Sequence, residues 1–313
     1  MFFTLISAVI AQPDNETVLP PDSVRELAPG VLYAHAYNPA SRLSVHWLTV
    51  DLTNLNLGVR VGKGLEHISG LEQTHSILSR FDSSYSNVRV IAGINANFWR
   101  AGTLHPMGPT VSDGELLIST QHRNWSSIAF TDAGHVIIDT FDMRVALHSR
   151  LGQIPVTRIN RRIDSTEVVL YTGYFGSSVP FVDTTGIREA SHDTITDDSE
   201  AAIDTVILAI MDSIWNVSRE SGTLKLQFRY MSPPRANTIT PCVVTGLDTG
   251  FVAIPEDGGV LSFGKGPFPL FSQLLVGDTF SLGSRLHPPI NGSVVQMTGG
   301  TPRIVRDGQV SVE

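Results

Sequence analysis

Cysteine is almost absent from this chain. Its 313 residues include one cysteine, Cys242, so an intrachain disulfide framework is excluded. The apolar residues Val243 and Val244 follow it, and such neighbours are typical of a buried, inert thiol rather than a nucleophile. The fold must therefore depend on its hydrophobic core, for which 42% hydrophobic and 17% charged residues are adequate.

Basic clusters and long apolar runs are also missing. The formal net charge is −8, and a chain without a basic cluster has little to offer the phosphate backbone of a nucleic acid. After the N-terminal segment, no stretch approaches the roughly 20 uninterrupted apolar residues of a membrane-spanning helix. We therefore predict neither a nucleic-acid partner nor a transmembrane segment.

The common signatures of metal and cofactor sites are not found either. Ten histidines are present, but they show neither HxH nor HExxH spacing, which weakens a zinc hypothesis. The acidic run Asp193–Glu200 lacks the ligand order and central glycine of a calcium loop. The sequence contains no GxSxG, P-loop or dinucleotide fingerprint. We predict no metal and no cofactor.

The chain begins with an apolar segment that ends in small residues. Met1–Ala11 reads MFFTLISAVIA and is followed by Gln12 and Pro13. This pattern is typical of the hydrophobic region and cleavage site of a secretory signal peptide. We predict a signal peptide over residues 1–11 and a secreted, periplasmic or extracellular location.

Short apolar segments separated by glycine turns make up most of the chain. Leu43–Leu52 and Leu57–Val61 alternate apolar and polar residues, as half-buried strands do. One early helix is predicted over Leu71–Phe81, where Ser69 and Glu72 have the spacing of a capping box.

This pattern predicts an α+β fold, a β-rich mixed-sheet domain with hairpins and few helices. After residue 88, turn signals such as Asp113-Gly114 and Asp307-Gly308 recur between apolar segments and indicate β-hairpins. We expect a β-rich N-terminal portion over residues 12–87 and a larger domain over residues 88–313.

The segment from Val88 to Thr120 concentrates polar chemistry after an apolar run. Its strand-like start leads to Asn95-Ala96-Asn97-Phe98-Trp99, followed by a loop with His105 and Gly108. Asparagines at the end of a predicted strand carry donors and acceptors that need partners. Polar groups fixed by such a scaffold are where binding sites usually lie.

This segment resembles the phosphodiester glycosidase family, which includes the "uncovering enzyme" that removes N-acetylglucosamine from the lysosomal mannose-phosphate tag. The family pattern is an apolar strand, N-G-G-[YF]-F, a variable loop with glycine, and a "v-s-d-G" hairpin. Here Asn95–Trp99, Gly108 and Val111–Gly114 match it. Ala96 and Asn97 replace the family's two glycines, and asparagine is the non-glycine residue that best tolerates a positive φ.

Further matches follow in the family's order, from about residue 88 to the end of the chain. They are Ser127–Phe130 with Asp132–Gly134, Asn160–Arg162 with Leu170–Thr172, Ile254–Gly258 with Leu261–Ser262 and Gly264, Gly277–Asp278, and Gly299–Gly308. The family continues with R-T-A-x-G and D-G-G-G-S segments, whereas this sequence ends at Glu313. We therefore expect the family domain to be incomplete at its C-terminus.

The resemblance implies hydrolysis of a sugar-1-phosphodiester in a glycan or exopolysaccharide. Such a reaction passes through an oxocarbenium-like state while a phosphate monoester departs, so orientation and charge stabilisation matter more than a strong general acid. A guanidinium group, such as that of Arg100 or Arg161, can hold a phosphate through two parallel hydrogen bonds. The catalytic candidates are Asn95, Asn97 and Arg100, and the substrate-binding candidates are His105, Gly108, Asn160, Arg161, Gly299 and Gly300.

Two functions remain open at this point. The first is a secreted hydrolase with a glycan or sugar-phosphate substrate. The alternative is a non-catalytic carbohydrate-binding or cell-surface module that retains the fold, in which Asn95 and Asn97 serve only to satisfy backbone groups of the turn.

Overall fold

A computed structural model describes residues 21–100, 103–182, 210–211, 213–300, 305–306 and 309–310. Within them the chain is rich in strands arranged in several sheets, which confirms the expected β-rich mixed fold. The predicted signal peptide and the acidic run Asp193–Glu200 lie outside the described residues. No helix in the described part is long and apolar enough to cross a membrane.

The largest sheet has eight strands in the order β10-β11-β16-β13-β14-β17-β8-β9. Its neighbours pair antiparallel except for β10 and β11, which are parallel. The strands are β8 (Asp142–Ser149), β9 (Gly152–Val156), β10 (Arg158–Ile159), β11 (Val168–Tyr171), β13 (Leu224–Tyr230), β14 (Ile239–Asp248), β16 (Gly258–Phe263) and β17 (Thr279–His287).

The second sheet has five strands in the order β5-β4-β18-β6-β7. They are β4 (Thr110–Ser112), β5 (Glu115–Ile118), β6 (Ser127–Thr131), β7 (Val136–Asp139) and β18 (Val294–Gly299). Val111, Ala129 and Met297 from this sheet share one buried cluster with Leu226 and Leu282 of the eight-stranded sheet. The main core therefore lies between these two sheets.

Three smaller sheets complete the strands. An N-terminal sheet is formed by β1 (Ser23–Ala28), β2 (Val31–Asn38) and β3 (Leu43–Val50), and two-stranded sheets are formed by β12 (Ser178–Val179) with β15 (Val252–Ala253) and by β19 (Val305–Arg306) with β20 (Gln309–Val310). The helices of the described residues are α1 (Thr74–Ser84), α2 (residues 213–220, with residues 210–211 also helical) and α3 (Phe268–Phe271), and 3₁₀ turns lie at Gly64–Glu66 and Gly173–Phe175.

The predicted hairpin at Asp113-Gly114 is confirmed. These two residues connect β4 and β5 and have φ values of 51° and 86°, as a two-residue turn of type I′ requires. A side chain at Gly114 is also excluded by space, because an added Cβ would lie 2.1 Å from the carbonyl oxygen of Pro234. The Asp307-Gly308 turn lies outside the described residues.

Two predicted strands are absent from the described structure. Leu57–Val61 and Val88–Ile94 have no regular secondary structure. In the first, Val61 N–H donates to Oε1 of Gln296 (2.9 Å) and its carbonyl accepts from Oγ of Ser112 (2.7 Å). In the second, Val90 N–H donates to Oδ1 of Asp82 (2.8 Å). Side chains thus satisfy these backbone groups, so the apolar pattern did not require a partner strand.

The predicted helix exists, but it begins later than expected. Helix α1 starts at Thr74, three residues after Leu71, and Gln73 is its N-cap without a side-chain hydrogen bond. The predicted capping box does not form. Instead, Ser69 N–H donates to Nδ1 of His67, and Glu72 accepts from Leu65 N–H and pairs with Arg80. Both residues fix the loop that precedes the helix.

An ion pair lies fully buried beside the eight-stranded sheet. Arg162 Nε donates to Oε1 of Glu220 at 2.6 Å, and both side chains are at most 1% exposed. Tyr171 and Thr223 donate their hydroxyl groups to the same carboxylate at 2.7 and 2.9 Å. A buried charge is tolerated only when it is paired and hydrogen-bonded, and this network meets that condition.

Candidate functional site

The asparagine turn has the left-handed geometry that the family's glycine pattern implies. Asn97 has φ 60°, and its Oδ1 accepts the N–H of Phe98 at 2.8 Å. Its Nδ2 lies 3.4 Å from Oγ1 of Thr110. A Cβ added to Gly299 would lie 2.9 Å from Oδ1 of Asn97. The turn therefore packs directly against the end of β18.

A short hairpin leads from this turn to His105. Met107 N–H donates to the carbonyl of Phe98 (2.8 Å), and Arg100 N–H donates to the carbonyl of His105 (2.9 Å). Although it lies in a loop, His105 is only 6% exposed. The hairpin therefore joins the backbone of Arg100, which is exposed, to the backbone of the buried His105.

A second loop carries Lys63 and His67 toward the same imidazole. Arg80 of α1 holds this loop through ion pairs with Glu66 and Glu72 (2.7 and 2.9 Å) and a hydrogen bond to the Lys63 carbonyl (3.2 Å). Lys63 donates from Nζ to the carbonyl of Gly70. The loop is compact, because a Cβ on Gly70 would lie 2.1 Å from the carbonyl oxygen of Gly64.

Three consecutive residues after β10 have three different surroundings. Asn160 is fully buried with φ 55°, donates to the Leu117 carbonyl (3.1 Å) and accepts from Thr172 N–H (2.8 Å). Arg161 is half-buried and acts electrostatically on His105. Arg162 enters the core and pairs with Glu220. Asn160 thus fixes the position from which Arg161 reaches the site.

The charges that act most on His105 are all positive. Burial is the largest cause that lowers its pKa to about 3, and interactions with Arg161, His67, Lys63 and Arg100 contribute to the same shift in that order. We refer to the cations Lys63, Arg100 and Arg161, together with the His67 imidazole, around His105 as the cationic cluster. Burial also lowers the pKa of Lys63 to about 8, against the negative charge of Glu72, which raises it. His105 is therefore neutral near pH 7, while Lys63 remains mostly charged.

The structure brings most of the candidate residues into two adjoining groups. Arg100, His105 and Arg161 belong to the cationic cluster. Asn97 and Gly299 touch at the neighbouring turn, and Gly108 is linked to them because its carbonyl accepts from Thr110 Oγ1 at 3.1 Å. These groups are continuous through the Phe98–Met107 hairpin.

The remaining candidates have other contacts. Asn95 is exposed and accepts a hydrogen bond at Oδ1 from Oγ1 of Thr74, the first residue of α1. Gly300 N–H donates to the Ser126 carbonyl at 2.9 Å. Asn160 uses its amide within the protein. Substrate contact for Asn95 and Asn160 remains a prediction.

Sequence reasoning did not identify Lys63 and His67. Neither residue belongs to a motif that matches the family, and they precede the asparagine turn by about 30 residues. Within the described residues, no group of three or more histidine, cysteine, aspartate or glutamate side chains is arranged to hold a metal ion. The arrangement is suited to an anion, since cations converge on one neutral imidazole.

No protein-family model and no curated protein matches the chain. In structure, the chain is similar to a hypothetical protein from Synechocystis, known from a crystal structure, with a TM-score of 0.57 and 16% sequence identity. The match covers 94% of this chain and 46% of that protein, so the chain spans less than half of its length. This likeness supports the fold alone.

Proposed function

We propose that this chain is a secreted hydrolase of the phosphodiester glycosidase type, which cleaves a sugar-1-phosphodiester in a glycan. The observation that carries the proposal is the cationic cluster around neutral, buried His105, directly beside the Asn97 turn. The cluster suits the phosphate, and the turn offers amide groups to the sugar. The sequence resemblance selected Asn97, Arg100 and His105 in or beside one motif and Arg161 in another.

The positive charge of the cluster suits the negative charge that develops on the phosphate during the reaction. The phosphodiester carries one negative charge, and the departing phosphate monoester gains a second as the bond to the anomeric carbon breaks. Cations fixed around the phosphate before the reaction stabilise this developing charge more than they stabilise the bound substrate. Arg161 and Arg100 offer planar guanidinium groups, and Lys63 adds a compact positive charge.

His105 suits a positioning role. A pKa of about 3 makes it a poor proton store near pH 7, and a phosphate leaving group needs little protonation. Its neutral imidazole can donate one hydrogen bond and accept another. We expect it to orient the phosphodiester, while Asn97 orients the sugar.

The test is hydrolysis of defined sugar-1-phosphodiesters, with sugar release followed by NMR and with inorganic phosphate as a competitor. Replacement of Arg161 or Arg100 by lysine should raise KM and weaken phosphate competition, because lysine keeps the charge but loses the planar fork. Arg144→Lys is the matched control, since the Arg144 side chain is 79% exposed and pairs with Asp142 on β8.

The outcomes of this test distinguish the hydrolase from the carbohydrate-binding alternative. Turnover that depends on Arg161 supports the hydrolase. Sugar binding without turnover supports the carbohydrate-binding alternative instead. Equal phosphate competition in wild type, Arg100→Lys and Arg161→Lys removes both arginines from the site.

A further inference from the structure

A row of exposed and half-exposed rings borders the Asn97 turn. Phe98 is 57% exposed, and its ring centroid lies 5.5 Å from that of Trp125 at an interplanar angle of 59°. Trp125 in turn lies 4.5 Å from His122, nearly edge-on at 75°. We call Phe98, Trp125 and His122 the aromatic row.

The row is fixed to the turn by the backbone. Phe98 N–H donates to Oδ1 of Asn97. On the other side, Ser126 follows Trp125 in the chain, and its carbonyl accepts the N–H of Gly300. Gly299, which precedes Gly300, touches Asn97. The backbone N–H of Trp125 donates to the His122 carbonyl (3.3 Å), and this hydrogen bond closes the loop that presents Trp125. The row and the turn therefore form one continuous surface.

This surface combines apolar faces with a nearby amide, and that combination selects the kind of ligand. A pyranose ring has an apolar C–H face and a rim of hydroxyl groups. The C–H face can stack on aromatic side chains, while the hydroxyls use convergent polar groups such as the Asn97 amide. Phe98 remains 57% exposed although its ring packs against Trp125, so apolar surface is left for a ligand.

We propose that the aromatic row is the sugar subsite, with a pyranose ring lying against Phe98 and Trp125 while its 1-phosphate reaches the cationic cluster. This proposal rests on the proposed function for the position of the phosphate. The row binds the sugar, and the cluster binds the anion. The two contributions are therefore separable by mutation.

The first experiment measures binding with two probes by isothermal titration calorimetry. One probe is inorganic phosphate, and the other is a set of methyl α-glycosides of glucose, mannose, galactose and N-acetylglucosamine. Phe98→Ala and Trp125→Ala should each weaken glycoside binding about 10-fold and leave phosphate binding unchanged. Arg161→Lys should show the reverse, and Trp125→Phe should retain most glycoside affinity.

Phe251→Ala is the matched control, because Phe251 is 66% exposed but lies between β14 and β15, outside both groups. It should leave both affinities unchanged. Circular dichroism and thermal melting establish that each variant is folded. Wild-type affinity for the glycosides in Phe98→Ala and Trp125→Ala overturns the proposal, as does a wild type that binds none of the four glycosides.

A second experiment separates this proposal from the proposed function. Hydrolysis of a sugar-1-phosphodiester is measured for the wild type and both aromatic variants. If no hydrolysis occurs but glycoside binding depends on Phe98 and Trp125, the proposed function fails and the sugar subsite stands. If hydrolysis proceeds with an unchanged KM in both variants, the subsite fails and the function stands.

Discussion

Gly299 and Asn97 touch across the end of β18, and no side chain fits between them. A Cβ on Gly299 would lie 2.9 Å from Oδ1 of Asn97 and 3.2 Å from the Met107 carbonyl oxygen. We expect Gly299→Ala to displace the asparagine turn, to lower sugar-phosphodiester turnover and to cost about 1–3 kcal/mol in free energy of unfolding, the usual cost of overpacking. Activity assays and chemical denaturation measure both effects.

The neighbouring glycine is the control. An added Cβ on Gly300 has no heavy atom within 4 Å, so Gly300→Ala should unfold like the wild type. Equal stability of the two alanine variants would contradict the conclusion that the contact with Asn97 fixes the turn.

Asn95 has either a substrate role or a tethering role. If it orients substrate, Asn95→Ala should lower turnover by roughly 10²-fold, the scale of one lost preorganised donor, with little change in stability. Thr74→Val removes the same hydrogen bond from the other side and leaves Asn95 in place. Turnover should survive in Thr74→Val. Full activity with early unfolding in Asn95→Ala would show that Asn95 only tethers α1.

His105 should make the protein sensitive to mild acid. Its pKa is about 3 in the folded state and about 6.5 in an unfolded chain, so the unfolded state binds the proton more readily. The stability that this neutral imidazole contributes is complete above pH 6.5 and is lost as the pH falls toward 3. Between pH 6.5 and 4.5, the Tm of the wild type should fall more steeply than that of His105→Gln.

Glu115 must be controlled in the same experiment. Burial raises its pKa to about 7, so its contribution has the opposite sign: it is complete below pH 4.5 and is lost as the pH rises through 7. Glu115→Gln should therefore increase the loss of Tm on acidification. Parallel Tm profiles for Glu115→Gln and for the double variant Glu115→Gln/His105→Gln would contradict the role of His105.

Asn160 should affect stability rather than ligand affinity. Asn160→Ala removes the hydrogen bonds to the Leu117 carbonyl and Thr172 N–H and leaves these buried groups unpaired, at a cost of about 1–3 kcal/mol. Arg161→Lys, one residue later, should unfold like the wild type and bind phosphate less well. A stable Asn160→Ala variant with weakened phosphate binding would instead place Asn160 in direct contact with the ligand.

The buried ion pair should be costly to break. Glu220→Gln leaves the Arg162 guanidinium in the core without a counter-charge, and such a change typically costs about 3–5 kcal/mol. Asp142→Asn breaks the exposed pair with Arg144 and should cost less than 1 kcal/mol. Urea denaturation compares the two variants. Similar free energies of unfolding in both variants would mean that water or a rearrangement of neighbouring side chains stabilises the unpaired charge of Arg162.

Local sequence patterns predicted those parts of the fold that depend on neighbouring residues alone, such as the alternation of a strand or the residue types of a turn. Strand β3 follows the alternation of Leu43–Leu52, and the hairpin at Asp113-Gly114 follows turn chemistry. Val88–Ile94 looked like a strand because it is apolar, but a strand also needs a partner, and Asp82 satisfies the N–H of Val90 instead. Hydrogen bonds between distant parts of the chain cannot be read from a local apolar run.

The same limit explains which half of the site was predicted. Arg100, His105 and Arg161 stand in or beside motifs and were identified. Lys63 and His67 lie in a loop whose position depends on Arg80 of α1, so their proximity to His105 is a property of the tertiary structure. Glycine positions such as Gly299 were selected by resemblance, and the structure supplies a physical reason through the close contact with Asn97.

The sequence Asn160-Arg161-Arg162 makes this segment unusually intolerant of a change in length. One side chain ties two sheets together, the next acts electrostatically on His105, and the third enters the core, so each residue type suits one position. Deletion of a single residue before Asn160 would move the Arg161 guanidinium into the amide's buried position and bring Ile163 opposite Glu220, which would lose its partner. Insertion of a single residue would move the Asn160 amide to the position of Arg161. Homologous chains that keep this site should therefore accept substitutions around the segment, but no shift in its register.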